Sequence, residues 1–204
     1  MPRLFLVRHG LIESNISRHF AGYTDVEMSP VGYGQVDRLR NRLANEKFDA
    51  IYSSNLKRAL TTAELISSGR RVNIIACPEL REINYGKIEG LTFQEIEHLY
   101  PDVAKSITNF TTDIEFPNDE TFREFIERVR KFLEKLEQHT PEQTVLIVSH
   151  SGPVRLLICS LLGIEQKYWR QFRCDNASLN IVETNPRGAI INLLNDTSHL
   201  SGSC

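Results

Sequence analysis

Two imidazoles and two guanidinium groups stand where a fold could bring them together. Arg8-His9-Gly10 ends the apolar run Leu4-Phe5-Leu6-Val7, and Ser149-His150-Ser151-Gly152 ends the run Thr144-Val145-Leu146-Ile147-Val148. Runs of this kind read as buried strands that stop at a turn. Buried central strands of open α/β sheets deliver functional residues at their carboxyl ends. Side by side, the two strands would point His9 and His150 into one crevice, with Arg8 beside the first. Arg58 opens a helix that follows another strand. Such a cluster suits a dianionic phosphate, because Arg offers planar, bidentate donors and keeps its charge at any working pH. Imidazole can serve as nucleophile or as acid–base group. Gly10 would let the backbone turn sharply or lie close to a ligand. Singly, each residue has a plainer reading: a hydrogen-bonded structural His, or a solvated Arg. Arg58 in a first helical turn is mildly opposed by the helix dipole, a hint that it has another task.

The elements that must position these groups alternate. Ser29 as N-cap and Pro30 at the first helical position open a helix over 30–46, with Val31, Val36, Leu39, Leu43 and Ala44 as its apolar or small face. A short strand at 49–53 ends in Ser53-Ser54-Asn55, cap candidates for a helix over 56–67 that Gly69 stops. A strand at 72–76 follows, then an irregular stretch at 80–86. Thr92-Phe93-Gln94-Glu95 matches a capping box for a short helix to Tyr100. Residues 101–118 suggest one weak helix and a loop. Phe122, Phe125, Ile126, Val129, Phe132, Leu133 and Leu136 make the stripe of a long helix over 120–138. A helix over 153–162 closes at Gly163, and two late strands at 178–183 and 189–194 finish the pattern. Strands alternating with helices imply an α/β three-layer sandwich, a mostly parallel central sheet with helices on both faces. We expect a single domain over 1–204, with a lid-like excursion at about 84–118 and a frayed tail at 196–204.

Composition limits the rest. The formal net charge is −2, from 24 basic and 26 acidic residues, so no basic excess points to nucleic acid or an anionic membrane. No apolar run reaches membrane-span length, and Met1-Pro2-Arg3 leads straight into a strand without a signal-peptide pattern. The four cysteines are scattered without metal or redox spacing; Cys77 and Cys159 read as small core residues. A cytoplasmic protein is expected, with neither metal nor cofactor.

The opening run with Asn15 five residues on resembles the signature of the histidine phosphatase superfamily, also called phosphoglycerate-mutase-like. Phe20-Ala21-Gly22-Tyr23-Thr24-Asp25 resembles its Gly-x-x-Asp loop. Tyr52-Ser53-Ser54-Asn55-Leu56-Lys57-Arg58-Ala59 resembles its second Arg motif, and Leu80-Arg81-Glu82-Ile83-Asn84-Tyr85-Gly86 with Glu89-Gly90 its acid motif. Val148-Ser149-His150-Ser151-Gly152 resembles its second His motif. The resemblance implies roles. His9 would be the nucleophile that becomes phosphorylated. Arg8, Arg58 and an imidazolium at His150 would hold the phosphoryl oxygens. Glu82 would protonate the leaving alkoxide and then act as base toward water. Asn15, Gly22, Tyr85 and Ser151 would contact the substrate. His9 must be neutral at its attacking nitrogen, so its other nitrogen should donate to a backbone carbonyl such as that of Gly10.

This chain departs from the family pattern in places. Leu11-Ile12 replaces a polar pair and can line the pocket or simply pack; Ser14 replaces a Trp. Asn118-Asp119-Glu120-Thr121 replaces Gly-Gly-Glu-Ser, and Ser151 stands where Gly is common. The resemblance implies a phosphomonoester hydrolase acting on a small phosphorylated metabolite. Its length and its segment Cys174-Asp175-Asn176-Ala177-Ser178-Leu179 are most similar to α-ribazole phosphatases, then to phosphoserine and broad-specificity phosphatases. A phosphoglycerate mutase is disfavoured, since 90–118 carries only Lys105 as a basic side chain besides His98. A non-catalytic phosphate-binding scaffold is the reading from a different class. The resemblance also allows a homodimer, although no apolar stripe stands out as a spare interface.

Overall fold

The computed structural model describes residues 2–109, 116, 120–185 and 187–201. Among these, six strands form one sheet: β1 (Arg3–Arg8), β2 (Ala50–Ser53), β3 (Ile74–Ala76), β4 (Thr144–Ser149), β5 (Leu179–Asn185) and β6 (Gly188–Asp196), in the order β3-β2-β4-β1-β5-β6. The first four are parallel; β5 runs antiparallel to β1, and β6 to β5. The α-helices are α1 (Glu13–Ile16), α2 (Pro30–Arg42), α3 (Lys57–Ser67), α4 (Phe93–Leu99), α5 (Pro101–Thr108), α6 (Phe122–Leu136) and α7 (Ser151–Leu162).

β1 and β4 take the centre because both of their faces are apolar. Leu4 and Leu6 share one core with Val145 and Ile147, which α6 and α7 cover; Phe5 and Val7 share the other with Leu146 and Val148, under α2 and α3. Alternate side chains thus point to opposite layers, the period of a strand. The three-layer, mostly parallel arrangement expected from the sequence is the one observed. The register pairs Arg8 with Ser149, so the residues that follow, His9 and His150, leave the sheet side by side.

Local details differ from expectation for physical reasons. Ser29 caps α2 through the Gly32 amide as expected. Its buried face is Gly32, Val36 and Leu39, continued by Leu43, whereas Val31 and Ala44 are exposed. Position 31 lies about 100° round the helix from 32, off the buried stripe. α7 begins at Ser151, earlier than expected, because Pro153 is tolerated in a first turn. The segment expected to fray is tied down: Arg42 pairs with Asp196 and donates to Ser198 Oγ at 2.6 Å, and Arg38 donates to the Leu200 carbonyl at 3.1 Å. Residues 202–204 lie outside the described ones. The 84–118 excursion holds α4, with its expected capping box, and α5; Ile88, Ile96, Ala104 and Ile107 are buried in the core it shares with α6. Its residues 110–115 and 117–118 lie outside the described ones.

Candidate active site

His9 is buried, and its Nδ1 lies 2.7 Å from the Gly10 carbonyl oxygen. A carbonyl can only accept, so Nδ1 carries the proton and the Nε2 lone pair is left for the cavity that His9 lines. This is the backbone partner expected from the sequence. The Gly10 amide donates to Thr62 Oγ1 at 3.3 Å, tying the turn to α3. The expected reason for Gly10 was a ligand or a sharp turn. The observed reason is packing: a Cβ there would lie 2.6 Å from the Gly32 carbonyl oxygen and 2.7 Å from Met28 Sδ. Arg8 donates from Nη1 to the Cys174 carbonyl at 2.7 Å, while its buried Nε has no hydrogen-bond partner among the described residues.

His150 follows β4 and is fully buried, its ring centroid 5.1 Å from that of His9. Arg58 Nε donates to its Nδ1 at 3.2 Å, so the ring proton sits on Nε2, which donates to Ser54 Oγ at 2.8 Å. Both ring nitrogens are committed, which differs from the expected imidazolium. Burial, then Arg58, the neighbouring His9 and Arg8, hold His150 well below the ordinary 6.5. Arg58 is itself fully buried at the start of α3. Its Nη1 donates to the Thr24 carbonyl at 2.8 Å and its Nη2 to the Gly22 carbonyl at 2.6 Å. Gly22 therefore stands behind the guanidinium and off the cavity wall. The loop carrying these carbonyls is fixed by Glu89, which accepts from the Tyr23 amide at 2.6 Å and the Thr24 amide at 2.7 Å. The expected caps of α3 do other work. Ser54 holds His150, and Asp25 Oδ1 accepts from the Lys57 amide at 2.7 Å.

Glu82 is buried against the N-terminus of α7. Its carboxylate accepts from the Gly152 amide at 3.2 Å, the Ser151 hydroxyl at 3.1 Å and the Ile83 amide at 3.1 Å. Only glycine permits this seat, since a Cβ on residue 152 would lie 2.2 Å from Glu82 Oε1. Arg128 of α6 braces the acid's loop. It donates to the carbonyls of Glu79, Arg81 and Glu82 and forms a two-pronged ion pair with Glu120, both contacts at 2.7 Å. The pair is mostly buried. Removing one partner of a buried pair costs about 3–5 kcal/mol. Arg128→Ala is therefore expected to lower stability by about 3 kcal/mol in urea unfolding, with Arg128→Lys unable to restore the fork.

Arg8, His9, Asn15, Glu82, Tyr85 and Ser151 line one cavity of about 230 Å³. Arg58, His150 and Gly22 stand outside that lining. Ile12 is on the wall and Leu11 is not, so of this pair it is Ile12 that faces the pocket. The sequence reading missed Arg18 and His19 on the same wall. Arg18 is exposed and has φ 58, in the left-handed region. Phe20 and Tyr85 meet edge to face at 5.2 Å, and Tyr85 and Phe116 at 5.1 Å. Burial pushes the Tyr85 hydroxyl above its ordinary range, so it stays protonated.

Burial, then Arg58 and Arg8, also holds His9 well below 6.5. Both histidines are thus neutral in the folded chain where the unfolded chain begins to protonate. Stability from this source is complete above about pH 6.5 and is lost as pH falls toward the folded values, by up to about 1.4 kcal/mol per pH unit per group. The melting temperature should therefore drop between pH 7 and pH 5 in calorimetry. The His9→Ala chain, with one such group fewer, should drop less.

The sheet order sets the paired histidines at its carboxyl edge, and His9 shares one cavity with the acid Glu82. The family model of the histidine phosphatase superfamily (branch 1) matches residues 4–197, and the chain belongs to that superfamily. It is 35% identical over 98% of its length to phosphoserine phosphatase 1 of Hydrogenobacter thermophilus, covering 95% of that protein. It is 30% identical to the adenosylcobalamin/alpha-ribazole phosphatase of Escherichia coli over 95% of each chain. Among solved structures, a putative alpha-ribazole-5'-P phosphatase from Escherichia coli superposes with a TM-score of 0.90 at 29% identity, over 96% of each chain. The phosphoserine phosphatase of Entamoeba histolytica in complex with 3-phosphoglyceric acid gives 0.85 at 28% identity, over 98% of this chain and 100% of that one.

Proposed function

We propose that the chain is a phosphatase that hydrolyses a small phosphomonoester in two steps through a phosphohistidine at His9. The observation that carries this reading is the pairing of a pinned Nδ1–H on His9 with a buried donor on the same cavity, Arg8 Nε, that has no hydrogen-bond partner among the described residues. In the first step His9 Nε2 forms a bond to phosphorus as the bond to the leaving oxygen breaks, and Glu82 gives that oxygen its proton. In the second step the Glu82 carboxylate takes a proton from water, the water oxygen bonds to phosphorus, and the P–N bond breaks to release inorganic phosphate. Charge on the equatorial oxygens is met by Arg8 on the cavity wall, with Asn15 as a further donor, and by the positive field of Arg58, which is buried behind that wall. Two permanent cations supply what a divalent ion would otherwise supply, so the reaction should proceed in EDTA. His150 contributes by orienting Arg58. The reduced state expected in cytoplasm suits Cys77, Cys159 and Cys174, which are buried and unpaired.

For the substrate, Arg18 adds positive charge at the exposed side of a small cavity. That favours a compact leaving group that carries its own anion, as phosphoserine does. A second reading, α-ribazole 5′-phosphate, is supported by the Phe20 and Tyr85 rings, which offer aromatic edges to a flat base. The test is phosphate release in EDTA from phosphoserine, α-ribazole 5′-phosphate, 3-phosphoglycerate, a nucleoside monophosphate and p-nitrophenyl phosphate, with His9→Ala as control. Phosphoserine far ahead supports the first reading, and α-ribazole 5′-phosphate ahead supports the second. No release from a folded chain favours the non-catalytic scaffold.

A further inference from the structure

The turn that enters β5 touches three groups of the phosphate site. Asn176 Nδ2 lies 2.9 Å from Asn15 Oδ1 and 3.3 Å from the His9 carbonyl oxygen. The Ala177 amide donates to the same carbonyl at 3.0 Å, and the Cys174 carbonyl takes Arg8 Nη1 at 2.7 Å. Ala177 is fully buried with φ 55, a left-handed conformation that a residue with a Cβ holds only when its surroundings impose it. The turn is tied from behind as well. The Asp175 amide donates to Asn195 Oδ1 at 2.6 Å, and His199 Nε2 lies 3.1 Å from the Ala177 carbonyl oxygen.

Hydrogen-bond polarity gives this contact a direction. The His9 carbonyl can only accept, so it fixes the Asn176 carboxamide with its NH₂ inward. The same NH₂ meets Asn15, which must therefore present its oxygen there. The two donors of Asn15 are then turned away from Asn176, and Asn15 lines the cavity. We propose that Asn176 is a positioning residue that sets the polarity of the Asn15 carboxamide, so that its NH₂ and not its oxygen faces the phosphoryl oxygens. The proposal rests on the phosphate-site reading above. Phosphoryl oxygens at neutral pH are acceptors, and an Asn15 of reversed polarity would set lone pairs against them.

Asn176→Asp is isosteric and, when ionised, only accepts. It would draw the Asn15 NH₂ toward itself and turn the Asn15 oxygen to the cavity. Asn176→Ala removes the constraint without adding charge. The experiment is titration calorimetry with inorganic phosphate on the wild type, on each of these variants, on Asn15→Ala and on the two double mutants. Reading phosphate affinity keeps the test separate from turnover. We expect Asn176→Ala to weaken phosphate about threefold and Asn176→Asp at least about tenfold. In the Asn15→Ala background the Asn176→Ala effect should vanish and the Asn176→Asp effect should shrink, since residues in one network are not additive. Equal losses from Asn176→Ala in both backgrounds would overturn the proposal, as would unchanged affinity in folded variants. If Asn176→Asp fails to fold, the Asn176→Ala cycle decides alone. A wild type that binds no phosphate would overturn both this proposal and the phosphate-site reading; normal phosphate binding without turnover would overturn only the catalytic part.

Discussion

His9→Ala is expected to lower phosphate release by at least about 10³-fold with little change in stability at neutral pH, the scale on which loss of a covalent nucleophile falls. The argument is geometric. Of the two adjacent imidazoles, only His9 has a nitrogen left for attack. Its Nδ1–H is held by the Gly10 carbonyl, whereas His150 spends Nδ1 on Arg58 and Nε2 on Ser54. His150 should therefore not take over in the variant, although its ring is close. A chemical-quench experiment with labelled substrate should trap label on His9 as an acid-labile, base-stable adduct, and no label in His9→Ala. Label on His150 would reverse the assignment of nucleophile and supporting residue. Turnover retained in His9→Ala would end the covalent route.

Two levels of this structure differ in how far the sequence reveals them. The strands that deliver the histidines were legible because both are apolar on both faces, and a centre strand in a covered sheet admits little else. The α6 stripe was legible because five of its expected members, Phe122, Phe125, Val129, Phe132 and Leu136, repeat at helical spacing and all are buried. Periodicity carries no trace of side chains that meet across the fold. Ser54 looked like a cap and holds His150 from 96 residues away. Asn176 stood out only as part of the segment from Cys174 to Leu179 that carries a resemblance, and it meets Asn15 across 161 residues. Arg128, on the polar side of its helix pattern, reaches back to the acid loop. The candidate reacting groups could thus be named from strand ends and from resemblance. The groups that orient them are chosen by topology, which only the folded chain displays.

The role of Glu82 predicts an effect that depends on the leaving group. Glu82→Gln should keep the local structure. The Gly152 and Ile83 amides can only donate, so the Gln oxygen takes the Oε1 place; its NH₂ meets the Ser151 hydroxyl, which can rotate to accept, and only the second branch of the Gly152 contact is given up. What is lost is the transferable proton. An aliphatic alkoxide such as that of serine leaves poorly without protonation, so hydrolysis of phosphoserine should fall by about 10²–10⁴-fold, the range for a general acid. p-Nitrophenolate leaves without a proton, so phosphorylation of His9 by p-nitrophenyl phosphate should stay within about tenfold of the wild type. The second step still needs the carboxylate as base toward water. Stopped-flow traces with p-nitrophenyl phosphate should therefore show a burst of about one nitrophenolate per site followed by slow turnover, with phospho-His9 accumulating. Equal losses for the two substrates without a burst would mean that Glu82 only holds the N-terminus of α7 in place. Loss of the burst amplitude alone, with phosphoserine turnover intact, would assign the proton to another group on the cavity wall. In that case Ser151, which already touches the carboxylate, would be the next residue to substitute.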